Sequence, residues 1–395
     1  MAVAILLTLL APGLEAQIDP RPGARRPDGQ LRRQVLDLTA SPRRPGGPAD
    51  RSASACRVVA HPARYFFSPG ADREPVPPSR SLRMYVRPEK RELVLEIGPV
   101  DLPAHSSHHE IPQFSQQLGY FPFDATLRGF YAEVVDRDGN PVPQTVLHHM
   151  HTVRPGRREL FLPVAQRFVA AGTETHRIQA PPWLVGIALR AHEPIVIDAM
   201  FHNPTDRSYR GVRARLVLMY SRTRPLYSVH PFHLDVMFPT GSKEFDLPPG
   251  RSVRTWEGSP AVRGGIVGLS GHLHKYAEWL ELKDMTTGDV IWHVRPYTDD
   301  AGNITGMPVD FSARGLGYPI YPDHRYRITS VYFNPTGATI PEGGMAKVAG
   351  IFVTERGVRW PVADPDDRLY LRDLRAVFSK ACPGGEPEEI PHRAY

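Results

Sequence analysis

Apolar and polar residues alternate in short runs along most of this chain. Residues 82–86 and 92–97 repeat with period two, the signature of a strand with one face buried. Residues 130–135 do the same and run into Asp136-Arg137-Asp138-Gly139-Asn140, a turn signal. Further strands are expected at 143–149, 184–189, 195–201 and 212–220, then at 266–274, 279–282, 290–294, 326–333 and 346–353. The stretch 160–171, LFLPVAQRFVAA, is expected to form a short helix ended by Gly172.

So many short strands with so few helices define an all-β chain, expected to fold as two tandem jelly-roll-like β-sandwich domains over 55–235 and 236–356. Residues 357–395 are expected to form an irregular tail. Composition agrees: 42 Pro and 33 Gly among 395 residues suit strands joined by turns.

Charge and terminal sequence refine this picture. The net charge is +6, and residues 17–52, with eight Arg against four Asp, hold four of those charges. Poor in large apolar side chains, 17–54 is expected to be a disordered linker. The rest is close to neutral, with no basic stripe interleaved with aromatics, which argues against a nucleic-acid partner. Residues 1–16 resemble a signal peptide, with an apolar core from Ala2 to Leu10 and a break at Pro12-Gly13, although no Lys or Arg precedes the core. No stretch is long enough for a membrane span, so a secreted or periplasmic location is expected. Of the 2 cysteines, Cys56 and Cys382 flank the folded region, and an oxidising compartment would allow a bridge between them.

The candidate chemistry is histidine-rich. Leu147-His148-His149-Met150-His151 puts three imidazoles and a thioether at a strand end. Imidazole suits copper, zinc, iron and nickel, and a thioether leans toward Cu(I). Neighbours on a regular strand point to opposite faces, so His148 and His149 can share an ion only if the backbone is bulged. His149 and His151 share a face, which leaves His151 as an alternative to His149. In Gly271-His272-Leu273-His274 the two imidazoles lie at i and i+2, side by side on one face. His105, His108 and His109 read as a solvated loop. His230 and His233 fall near the domain junction, where they could line the cleft. Asn303-Ile304-Thr305 matches a glycosylation sequon.

The ordered set resembles a known family. A His-His-Met run, a single His ending a strand some fifty residues later, a His-x-His in a second sandwich and then a Met resemble the copper type II, ascorbate-dependent monooxygenases. That family includes peptidylglycine α-hydroxylating monooxygenase and dopamine β-monooxygenase. The resemblance covers roughly residues 80–355. It implies two copper ions, one held by His148, His149 and His202 and relaying an electron, the other held by His272, His274 and Met345 and activating dioxygen. His192 competes with His202 for the third place. The flanks also match, with Pro248-Pro249-Gly250 before the His-x-His strand and Gly343-Gly344 before Met345.

The resemblance further implies hydroxylation of a C–H bond in a small-molecule or peptide substrate, with an external reductant such as ascorbate. Where the family has an arginine, an asparagine and a tyrosine around the substrate carboxylate, this chain has Ser270, Lys347 and Ala349. That departure argues against a glycine-extended peptide. It also keeps open a non-catalytic, secreted metal- or ligand-binding sandwich that retains the fold alone.

Overall fold

The structure is a computed structural model that describes residues 62–67, 81–114, 116–173, 175–181, 183–238, 244–312 and 317–379. The expected signal peptide, the linker, Cys56 and Cys382 lie outside these residues. Among the described residues, no helix is long and apolar enough to cross a membrane.

The chain is all-β. In its first half, a sheet built on Leu82–Arg87, Glu92–Leu102, Tyr209–Ser221 and Ala125–Val135 faces a four-stranded sheet. The second sheet runs in the order Gln117–Tyr120, Pro194–Phe201, Leu147–Arg158, Ala165–Gly172. Period-two patterning makes the sandwich: Leu93, Leu95 and Ile97 from one sheet meet Met150, Ile195 and Ile197 from the other in one core. Glu92 and Glu96 lie on the other face of that strand and are buried beneath their partners, with Tyr131 Oη donating to Glu92 at 2.8 Å and Arg215 pairing with Glu96 at 2.6 Å.

The second half repeats the plan. Gly250–Gly258, Tyr326–Asn334, Ala277–Asp284 and Val290–Val294 form one sheet. The facing sheet contains His230–Asp235, Ala346–Thr354 and Gly264–Leu273 in that order. Phe232, Ile266, Leu282, Ile328 and Val348 share its core. Because His230–Asp235 pairs with Ala346–Thr354, the second sandwich begins before residue 236, the boundary expected from sequence. The turn at Pro248-Pro249 closes through Gly250 at φ +84, a conformation that favours glycine.

Two expectations are corrected. The stretch 160–171 is not helical; Ala165–Gly172 is a strand paired with Leu147–Arg158. Phe168 faces the first core while Ala165 packs on another apolar cluster, so both faces are covered. A strand buried on both faces loses its alternation and imitates a helix in sequence. The tail is also ordered in part, as Arg368–Val377 is an α-helix whose first turn is capped by Asp367 Oδ1, accepting from Leu369 N and Tyr370 N. Its apolar stripe of Tyr370, Leu374 and Phe378 packs on Phe66, Val153 and Val196. Arg167 and Asp373 make a bidentate pair at 2.6 Å that pins the helix to the first sandwich.

The sandwiches also bind each other. Gln166 Nε2 donates to Pro231 O at 3.1 Å. The buried Glu159 carboxylate accepts from Arg167 N at 2.7 Å and from His233 N at 3.1 Å. His233 therefore sits at the junction through its backbone, and His230 stacks on Trp360 with ring centroids 4.2 Å apart.

Candidate metal centres

The bulge needed at His148 is present. Leu147 pairs with Phe201 and His149 with Met200, so His148 is the extra residue. The bulge lets consecutive imidazoles turn the same way, and His148 Nδ1 lies 2.9 Å from His149 Nδ1. Two nitrogens at that separation subtend about a right angle at an ion held by bonds of roughly 2.0–2.1 Å. That suits the tetragonal preference of Cu(II).

His202 approaches from the end of strand Pro194–Phe201, its ring centroid 5.3 Å from that of His148. Its Nε2 meets Thr145 O at 2.6 Å. A carbonyl only accepts, so Nε2 carries the proton and Nδ1 keeps its lone pair, the tautomer a ligand needs. The turn presenting His202 is locked by Asn203, fully buried, which donates to Leu102 O, Pro103 O and Arg207 O and accepts from Thr205 N and Oγ1. The second sandwich ends an equivalent strand with Asn334 and Thr336 in the same turn, and there Phe333 stands in the place of the histidine. His192 precedes strand Pro194–Phe201, at the opposite end from His202, and does not reach this cluster.

Two further histidines lie beside this cluster. His108, expected in a solvated loop, has its ring centroid 5.3 Å from His148. His151 lies directly across from Asp198, its Nδ1 2.7 Å from Asp198 Oδ1. Among the described residues, His149, His151 and Asp198 form the group whose donor atoms all lie within 4.8 Å of one another. Asp198 comes from another strand at a register the sequence does not display. His105 pairs with Asp206 at 2.9 Å on the exposed side of the turn.

The second constellation forms at the ends of two paired strands. His272 faces Lys347 and Leu273 faces Ala346, the last pair of the ladder; His274 follows it on one strand and Met345 precedes it on the other. Leu273 points into the core, which leaves His272 and His274 together on the other face, ring centroids 5.3 Å apart. One buried phenol ties this end together. Tyr332 Oη accepts from His274 N at 3.1 Å and from Met345 N at 3.3 Å, and donates to Met345 O. One donor and two acceptor positions exhaust a hydroxyl. Burial pushes the Tyr332 phenol well above its ordinary value, so it stays protonated at any working pH. In the sequence Tyr332 is marked only as one position of the strand expected at 326–333.

Electrostatics link the two ends. Burial holds His149 well below the usual imidazole range, with His151 adding to the effect, so it is neutral and ready to ligate. Lys347 stands between His272 and Asp235 in the sheet. Burial lowers its pKa, while Asp235, Glu244 and Asp198 oppose that. Burial raises the pKa of Glu244, which feels His272 of the second constellation and His109 of the first sandwich.

No protein-family model and no curated protein matches the chain. Among solved structures it is similar to PNGF-II, at 7% identity and a TM-score of 0.32, with 71% of this chain and 62% of that chain covered. The chain therefore spans less than two thirds of that protein. It is also similar to a putative secreted protein from Eubacterium rectale, at 9% identity and TM-score 0.19, covering 62% of this chain and 70% of that one. The infectious bursal disease virus Gx strain structure gives 8% identity and TM-score 0.20, with 64% and 76% covered.

Proposed function

We propose that this chain is a copper-dependent monooxygenase that hydroxylates a C–H bond with dioxygen and an external reductant such as ascorbate. The observation that supports the reading is the single Tyr332 hydroxyl that bonds the backbones of both His274 and Met345, next to the last strand pair Leu273–Ala346. Two imidazoles and a thioether form a donor set suited to Cu(I). Copper held there supplies one-electron chemistry with dioxygen. His148, His149 and His202 offer imidazoles alone, a donor set suited to a copper that cycles between two oxidation states. In this assignment His272, His274 and Met345 are the catalytic ligands.

The surrounding residues bear on the substrate. Ser270 Oγ donates to Pro308 O, and Ala349 carries no polar group. Lys347 faces the carboxylates of Asp235 and Glu244, which compete for its charge. The residues present therefore build no carboxylate clamp of the family's kind, in line with a substrate other than a glycine-extended peptide. This altered shell is also what favours the second reading, a metal-binding sandwich without turnover.

The test is metal content joined to oxygen consumption. The protein purified from copper-supplemented medium should hold about two coppers per chain and consume oxygen when ascorbate is added, as the two ligand sets require. Two coppers without oxygen uptake under a broad substrate panel supports the second reading. Absence of copper after loading contradicts both.

A further inference from the structure

We infer that His149, His151 and Asp198 form a divalent-metal seat of their own, overlapping the three-imidazole set at His149. The inference does not require the monooxygenase reading.

The backbone builds this seat. On strand Leu147–Arg158, His149 and His151 stand at i and i+2 and share a face. Strand Pro194–Phe201 supplies Asp198 directly opposite His151, a cross-strand pair in regular register beyond the bulge. Gln116 Nε2 donates to Asp198 Oδ2 at 3.3 Å, while Oδ1 turns to His151 Nδ1 at 2.7 Å. The donors of all three residues converge within 4.8 Å. Asp198 is 7% exposed, and a carboxylate is costly to bury unless a cation or several donors face it.

The chemistry of the set differs from that of the other two. Two imidazoles and one carboxylate form the facial arrangement that leaves coordination positions open on a divalent first-row ion. The carboxylate makes it harder than the set containing Met345, and harder than His148, His149 and His202. It therefore suits Zn(II), Co(II), Fe(II) or Cu(II) over Cu(I). Because His149 belongs to both sets in the first sandwich, a divalent ion on Asp198 and a copper on His148 and His202 compete for one imidazole.

The alternative is that Asp198 only orients His151 through a hydrogen bond. Cobalt titration of the full chain separates the two, in a His272→Ala, His274→Ala background so that only the first sandwich is read. Circular dichroism confirms folding of each variant. Asp198→Asn and His151→Gln should each weaken Co(II) binding by at least about tenfold. Asp198→Cys should add a thiolate-to-cobalt charge-transfer band, which arises only if residue 198 touches the ion. The inference is overturned if Asp198→Asn binds cobalt like the parent, or if Asp198→Cys loads cobalt without that band. Cobalt binding is read without turnover, so failure of the monooxygenase reading would leave this result standing.

Discussion

Replacing Tyr332 by Phe tests how the second constellation is held. The ring stays in its core position, and only the hydroxyl is lost. That hydroxyl serves His274 N, Met345 N and Met345 O, and Tyr332 is fully buried. Each of the two N–H groups then loses a buried acceptor, at about 1–3 kcal/mol apiece when no water replaces it. With partial relaxation the total is about 3 kcal/mol. For a unit the size of the second sandwich this lowers Tm by roughly 10 °C. The metal effect should be confined to one place: His274 and Met345 lose their shared tether, so Cu(I) affinity falls at His272, His274 and Met345, while the first sandwich loads as before. Calorimetry reads the first outcome and competitive Cu(I) titration the second. A Tyr332→Phe protein that melts within about 2 °C of the parent, well inside the shift such a loss implies, and binds Cu(I) equally well would refute the reasoning.

Asn203→Ala removes the side chain that locks the turn carrying His202, and should lower copper affinity in the first sandwich by about tenfold, as loss of an orienting partner does; metal titration checks it. Asp373→Ala removes the bidentate partner of the half-buried Arg167 and should cost about 3 kcal/mol, read as a lower urea midpoint and as faster proteolysis of the Arg368–Val377 helix. Burial, with Arg157 and Arg154 nearby, lowers the pKa of His230 from 6.5 to about 4. The unfolded chain therefore takes up a proton that the folded chain refuses, so stability falls as pH drops from about 6.5 to about 4. His230→Phe, which keeps the stack on Trp360, should flatten that part of the urea-midpoint profile against pH.

Much of this was legible because the chemistry is local. The pair His148-His149 demanded a bulge, and the bulge is there. The i, i+2 spacing of His272 and His274 required only a strand, and Gly264–Leu273 is one. What the sequence concealed depends on register or on double burial. Asp198 meets His151 only once two strands are aligned, and Tyr332 joins His274 to Met345 across the sandwich core. Strand Ala165–Gly172 loses its alternation because both faces are covered. The tail helix carries only a short apolar stripe, Tyr370 and Leu374, too brief to register as a helix in sequence.

The most direct measurement is X-ray absorption at the copper edge on fully reduced, copper-loaded protein, comparing the parent with Met345→Ile. Met345 is 7% exposed, and the swap nearly keeps volume and hydrophobicity, so the fold should survive at a cost below about 1.5 kcal/mol. A sulfur scatterer beside imidazole nitrogens is expected in the parent. That sulfur should vanish in Met345→Ile together with reductant-driven oxygen uptake, while the all-imidazole copper remains. A parent spectrum with nitrogen and oxygen alone, unchanged by the substitution, would contradict copper ligation by Met345.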